Sequence, residues 1–132
     1  MDNRKWRWAF LTLIFINFLP YLSRVAGGWE WVAQYWPDPG YELFGLLFFH
    51  SCYSTAAIPI ILGIFRSRTS RLPWLLPLVV VTALTVLIHH NYDLASDAQA
   101  AIGLMVFPLF TMVIGFLALG LGLLLQWFPT RV

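Results

Sequence analysis

The sequence has very little charge. Of its 132 residues, 11% are charged and 60% are hydrophobic, whereas soluble domains have roughly a quarter of their residues charged. This scarcity excludes an ordinary soluble globular domain. The few charged residues lie in short intervals, which leaves apolar runs close to or above the ~18 residues that a membrane-spanning helix needs. The composition therefore predicts an all-α membrane protein.

Cysteine is almost absent. Cys52 is the single cysteine, so an internal disulfide and a two-cysteine redox relay are both excluded. The sequence also contains no nucleophile-elbow, phosphate-loop or zinc-helix pattern. No pair of side chains has the spacing of a known catalytic pair. The sequence therefore favours a protein that is not an enzyme, and it implies no cofactor.

Four apolar runs predict four membrane spans within one integral membrane domain that covers residues 1–132. The inner loop "RSRTSR" has room for a tight connection only, so the second and third spans should be antiparallel neighbours. The predicted architecture is a bundle of four transmembrane helices. The spans are expected at about 8–24, 43–65, 72–90 and 98–126, with loops at 25–42, 66–71 and 91–97.

The basic residues are distributed unequally between the two sides of these spans. Of the eight Lys and Arg residues, Arg24 alone falls on the side that carries most of the acidic residues. Cytoplasmic loops retain Lys and Arg during insertion, so both termini are expected in the cytoplasm. The small size and short loops favour a bacterial inner membrane. Because orientation accounts for the basic residues, they give no reason to expect nucleic-acid binding.

The first outer loop, 25–42, contains three tryptophans and two tyrosines. Trp29, Val32, Ala33 and Trp36 have helical spacing, which predicts a short interfacial helix with one apolar face. One interpretation is an aromatic belt that anchors the loop among lipid headgroups. The other is a docking surface for a partner, because exposed aromatic residues are favoured interface anchors. On the second interpretation the binding residues are Trp29, Trp31 and Trp36.

Polar residues also mark the outer ends of the spans. In the first span, Asn17, Tyr21 and Arg24 are separated by four and three residues and so share one helix face. His50 lies deep enough in the second span to require a polar partner. If these faces converge, they form a polar pocket open to the outer side, in which Glu42 or Asp93 could pair with Arg24. The candidate residues are Asn17, Tyr21, Arg24, His50, Tyr53, His89, His90 and Asp93.

Structural roles explain the same residues without a ligand. The pocket could be a hydrogen-bonded plug that fixes helix register. His89 and His90 fall at the end of the third span, where imidazoles satisfy free carbonyls. Ser96 and Gln99 have the spacing of a capping box, which places Asp97 in the first turn of the fourth span. A metal or haem between His50 and His89 or His90 is a further alternative. Zinc would need a third ligand, for which Asp93 is the only obvious candidate, and haem would need histidines at matching depths, whereas His50 is deeper than His89.

The general design resembles small bacterial inner-membrane proteins that act through a partner, including immunity proteins that block pore-forming toxins within the bilayer. The resemblance is topological, extends over the whole chain and rests on no residue motif, so it carries over no functional residue. The lack of a secure catalytic pair and of a soluble domain favours a non-enzymatic protein, either an accessory subunit or an immunity-type protein. Such a protein would bind another membrane protein through its span surfaces and the first outer loop, or bind its own copies. The alternative is a small transporter or proton-coupled carrier with an outward-facing pocket around His50 and Arg24.

Overall fold

The computed structural model describes residues 3–36, 40, 42–68, 70–93 and 100–127, and these form helices and their connections. Four of the helices are long and apolar enough to cross a membrane. Among the described residues, the prediction of an all-helical structure with four helices long enough to span a membrane is therefore confirmed. The long helices are α1 (Asn3–Arg24), α3 (Glu42–Arg66), α4 (Leu72–Asn91) and α5 (Ala100–Leu125), and a short helix, α2 (Trp29–Ala33), lies between the first two.

Helices α3 and α4 form the centre of the bundle. Each of them packs against the other and against both α1 and α5, which flank the pair. Helical structure is what lipid requires, because an unpaired backbone group has no water to bond with there. The core is aliphatic and lies between α1, α3 and α4. Its buried residues are Ile16, Leu19, Ala56, Ala57, Ile60, Ile64 and Val81.

The first turn of α4 is inserted between glycines of its two neighbours. A Cβ atom added to Gly63 of α3 would lie 2.1 Å from the carbonyl oxygen of Pro73, and one added to Gly122 of α5 would lie 2.6 Å from that of Leu72. Neither position has space for a side chain. The absence of a Cβ atom at both positions lets three helices approach each other at this end of the bundle.

The small residues of α5 do not all serve the same purpose. Gly115 packs against Pro59 and Val81, and Ala118 is buried. A Cβ atom added to Gly120, by contrast, would meet nothing within 4 Å. At Gly115 and Gly122, therefore, the lack of a side chain serves packing within the bundle.

The two ends of the bundle differ in charge. At one end, here called the basic end, Arg4, Lys5 and Arg7 of α1 lie near Arg66 at the close of α3 and near the α3–α4 connection. The Lys5 ammonium ties these elements together by donating to the carbonyl oxygens of Phe65, at 3.3 Å, and Ser67, at 3.2 Å. The opposite end, here called the Arg24 end, holds the close of α1, helix α2 and the close of α4.

A glycine turns the chain from α1 into α2. A 3₁₀ turn at Val25–Gly27 follows α1, and Gly28 then has a φ of +88°, a conformation that L side chains rarely adopt. Helix α2 ends at Ala33, so it does not reach Trp36. The structure thus contains a short helix within the predicted first outer loop, 25–42, which is here called the tryptophan-rich loop. Its position in a membrane interface stays a prediction.

Candidate functional site

Arg24, the last residue of α1, is completely buried at the Arg24 end. Each of its three guanidinium nitrogens donates a hydrogen bond within the chain. Nε donates to the carbonyl oxygen of Trp31 at 2.8 Å, Nη1 to that of Tyr92 at 2.9 Å, and Nη2 to the Gln34 side chain at 2.5 Å. One cation therefore joins α1 to the tryptophan-rich loop and to the end of α4.

Aromatic rings and a carboxylate offset the buried charge of Arg24. Its guanidinium carbon lies 4.2 Å from the ring centroid of Trp31 and 4.1 Å from that of Tyr35, which are cation–π distances. The Gln34 amide in turn donates to Asp93 at 3.1 Å. The sequence predicted Glu42 or Asp93 as a partner for Arg24. The structure connects Asp93 to Arg24 through Gln34, and the Glu42 side chain lies outside the described part of the chain.

His89 is also buried, and both of its ring nitrogens are engaged. Nδ1 is hydrogen-bonded to the Tyr35 hydroxyl and Nε2 to the Tyr53 hydroxyl. A neutral imidazole has one N–H donor and one acceptor nitrogen, so it matches two hydroxyls, of which one accepts and the other donates. A metal ion could bind His89 only by displacing one of these tyrosines.

Tyr35 links the Arg24 and His89 centres, because its ring lies beneath the guanidinium and its hydroxyl meets the imidazole. Burial raises the pKa of Tyr35 to about 12, although the Arg24 cation opposes this rise. The phenol is therefore neutral at physiological pH. It acts as a rigid bridge and does not supply a counter-charge to Arg24.

His50 belongs to a second polar cluster, between α1 and α3. Its Nδ1 lies 3.1 Å from the side-chain oxygen of Asn17, and the Asn17 amide donates to Ser54 at 3.1 Å and to the carbonyl oxygen of Leu13 at 2.9 Å. The structure thus brings Asn17 of α1 and His50 of α3 together. Tyr21 lies beside them, with its ring centroid 5.9 Å from that of His50.

Aromatic rings separate the two clusters. Phe49 is buried, and its ring lies 5.7 Å from His50 on one side and 5.6 Å from Tyr35 on the other. The Tyr21 hydroxyl is buried and has no hydrogen-bond partner among the described residues. The structure thus places Asn17, Tyr21 and His50 together and Arg24, His89 and Asp93 together. Ring contacts of Phe49 and Tyr21 connect the two groups.

The remaining predicted site residues lie nearer the surface. His90 is exposed, with Nδ1 3.4 Å from the carbonyl oxygen of Ser23, although its neighbour His89 is buried. Trp29 and Trp36 are 78% and 61% exposed, whereas Trp31 is half-buried against Arg24. The three tryptophans therefore have different environments. The predicted capping box of Ser96 and Gln99, with Asp97, lies outside the described residues.

Two residues that complete the site did not stand out in the sequence. Tyr35 is off the apolar stripe that runs through Trp29 and Trp36, and Gln34 resembles any solvent-facing polar residue of a short helix. Both acquire their roles because α2 ends at Ala33 and the chain then turns toward the bundle, where Tyr35 reaches His89. The signal available in the sequence was the single basic residue on that side of the spans, Arg24, because a cation at the end of an apolar helix needs acceptors nearby if it is buried.

No protein-family model matches this chain, and no curated protein or solved structure is significantly similar to it. Within the part of the chain that the structure describes, no three His, Cys, Asp or Glu side chains lie close enough together to hold a metal ion. The side chains around Arg24 and His89 are bonded to one another. This arrangement is suited to holding the loop in a fixed position.

Proposed function

We propose that this is a non-enzymatic membrane protein that acts by binding another membrane protein, as an accessory subunit or an immunity-type protein. The proposed contact surface is the tryptophan-rich loop at the Arg24 end. One observation carries the proposal: buried Arg24 fixes the loop from beneath, while Trp29 and Trp36 of the same loop remain largely exposed.

A fixed loop with exposed tryptophans is suited to recognition. Binding costs less free energy when the contact residues are already ordered, because little conformational entropy is lost on association. Tryptophan is also among the residues most enriched at the energetic centres of protein interfaces. Arg24 holds the backbone of Trp31, and Tyr35 is held by His89. The two exposed tryptophans therefore flank a segment that is anchored twice.

A carrier with a pocket around His50 and Arg24 receives less support. The three nitrogens of Arg24 already donate to groups of the chain, and His50 faces Asn17. A ligand at Arg24 would have to replace bonds that hold α1, the loop and α4 together. The carrier remains a prediction from the sequence.

For the cellular setting, we propose a bacterial inner membrane with both termini in the cytoplasm. This orientation places the basic end in the cytoplasm and the tryptophan-rich loop outside. Four membrane-crossing helices and the short α3–α4 connection support this proposal. The partner is then a membrane protein with a surface near the outer boundary of the bilayer.

Photo-crosslinking in native membranes tests the proposed surface. A photoreactive aromatic amino acid replaces Trp29, Trp36 or Trp127 in turn. Trp127 is the matched control, because it is as exposed as Trp29, at 78%, but follows α5 at the basic end. We expect one protein adduct of the same mass from positions 29 and 36, and no such adduct from position 127.

The double substitution Trp29→Ala and Trp36→Ala should also lower recovery of that partner by at least roughly tenfold, since interface tryptophans commonly contribute 2 kcal/mol or more. Trp127→Ala should leave the recovery unchanged. Adducts that contain only lipid at positions 29 and 36, or the same protein adduct at all three positions, would contradict the proposal.

A further inference from the structure

A cavity of about 630 Å³ opens at the basic end, between α1, the start of α4 and the α3–α4 connection. Four cations line it: Arg4, Lys5, Arg68 and Arg71. No carboxylate is among its described lining residues. The volume is in the range of small-molecule sites. These four cations, here called the cationic rim, favour a ligand with a negatively charged group.

The lining changes character along the depth of the cavity. On α1 it passes from Arg4 to Trp8 and then to Leu11 and Phe15, and on α4 from Arg71 to Trp74 and then to Leu78. Both series follow the three- and four-residue spacing of a single helix face. At about 1.5 Å per residue, each descends about 10 Å or more. Cation, indole and hydrocarbon therefore follow one another in the same order on both walls.

This order is the order of groups in a phospholipid seen from the water. Phosphate lies outermost, the glycerol and ester region comes next, where tryptophan concentrates, and the acyl chain lies deepest. Trp8, Leu11 and Phe15 are exposed on the outer surface of α1, so the cavity is open sideways toward the hydrocarbon as well as toward water. The deepest lining residues, Leu11, Phe15 and Leu78, form an apolar floor. A small water-soluble anion bound at the cations would leave this floor without a contact.

The cationic rim is held in place by the fold. Lys5 is fixed by its bonds to the carbonyl oxygens at the end of α3. Arg71 directly precedes α4, whose first backbone N–H donates to the Ser70 hydroxyl at 3.1 Å. The start of a long helix has a partial positive charge that adds to the attraction for an anion. The contacts of Lys5 position one cation before any ligand arrives, and the backbone of Arg71 lies at the positive end of α4.

We propose that this cavity binds an anionic phospholipid, with its phosphate among the four cations and one acyl chain along the floor between α1 and α4. Basic pockets between transmembrane helices are suited to lipid phosphates. The inference depends on the membrane placement of the helices and not on the proposed partner binding, so each can fail without the other.

Native mass spectrometry of the whole protein, released from detergent, tests the site. The protein is incubated with phosphatidylglycerol or with phosphatidylcholine of the same acyl chains, and the retained lipid is counted. We expect one phosphatidylglycerol to be retained in clear preference to phosphatidylcholine. Arg68→Gln with Arg71→Gln should reduce that preference by roughly 25-fold, at about fivefold for each cation beside an anionic headgroup.

The matched control is Arg7→Gln with Arg66→Gln. It removes the same charge from the same end, but neither residue lines the cavity and both are exposed. Equal loss in the two double variants, or no loss in either, would overturn the proposal. Displacement of the lipid by soluble glycerol phosphate at equal concentration would also overturn it, because the acyl chain would then contribute nothing. If the first variant unfolds, Arg4→Gln with Arg71→Gln replaces it against the same control.

Discussion

At the scale of single residues, Arg24 is the side chain whose surroundings are most specialised. A cation with no exposed surface has lost its hydration, which costs several kcal/mol unless hydrogen bonds replace the water. Arg24 replaces it with two backbone carbonyls, one side-chain amide and two ring faces. A planar guanidinium can donate in its plane and stack above it at the same time, which an ammonium cannot do.

Arg24→Lys should therefore destabilise the protein although it keeps the charge. The ammonium cannot reach three acceptors in different directions or cover the rings of Trp31 and Tyr35. We expect a loss of roughly 2–4 kcal/mol, measured as a lower unfolding midpoint in mild detergent by tryptophan fluorescence. Arg7→Lys is the control, because Arg7 is exposed and does not line the proposed lipid site, so a change there should stay within about 0.5 kcal/mol. Equal shifts in the two variants would show that the bonds to Arg24 contribute nothing.

The spacing of polar residues predicted part of the site. Asn17, Tyr21 and Arg24 share a face of α1, and the structure places the first two beside His50 and the third near Asp93. Periodicity shows which residues share a helix face but not which loop residue folds back onto that face. The role of Tyr35 could not be predicted from the sequence, because nothing in its immediate neighbours specifies a contact with His89. That contact depends on the path of the loop after α2.

At the scale of helices, close approach depends on positions that have no side chain. Lipid is as apolar as leucine, so helices in a membrane associate through van der Waals packing and not through exclusion of water. The start of α4 packs closely on both sides, because its backbone lies directly against Gly63 of α3 and Gly122 of α5. These two contacts fix the spacing of three helices at the basic end.

Gly122→Ala and Gly120→Ala should have opposite effects. The new Cβ atom at position 122 would lie 2.6 Å from a backbone oxygen of α4, whereas the one at position 120 would meet nothing within 4 Å. We expect Gly122→Ala to destabilise by about 1–3 kcal/mol through overpacking. We expect Gly120→Ala to be neutral or to stabilise by up to about 1 kcal/mol, because alanine is the better helix former.

Unfolding midpoints of both glycine variants in the same detergent would check this prediction. A stable Gly122→Ala variant would mean that α4 and α5 are further apart than the structure shows.

The lengths of the apolar runs predicted the number and order of the long helices, since a run long enough to span a bilayer has to be helical there. They did not predict where α1 begins. The first span was expected from residue 8, but the helix starts at Asn3. Hydropathy indicates only the part of a helix that lies in hydrocarbon. The helical backbone of α1 continues beyond that part into the charged residues at its start, where Lys5 donates to a carbonyl oxygen at the end of α3.

At the scale of the whole molecule, the two ends of the bundle differ in the exposure of their cations. The basic end presents exposed arginines, whereas the arginine at the opposite end is buried and bonded. An exposed cation resists transfer across a membrane, and cytoplasmic loops therefore keep such residues. The single arginine on the proposed outer side is the one that the fold removes from water.

Thiol labelling in intact cells tests the proposed orientation. In a Cys52→Ala background, Glu30→Cys should react with a membrane-impermeant maleimide added outside, because it lies in the tryptophan-rich loop. Thr69→Cys, in the α3–α4 connection, should react only after the cells are permeabilised. The Cys52→Ala protein without a new cysteine is the control for background. Labelling of Thr69→Cys from outside would reverse the orientation and remove the cytoplasmic placement of both termini.

The hydrogen bond between Arg24 and the Tyr92 carbonyl joins residues 68 positions apart, and this separation has a consequence for biosynthesis. When the ribosome has made only α1 and α3, the guanidinium still lacks an acceptor on α4. Its Nη1 can reach its final acceptor only when the chain has been made as far as Tyr92. The tryptophan-rich loop therefore takes its final shape late in translation, and a nascent chain that stalls before Tyr92 presents an incomplete surface to any partner that is already waiting.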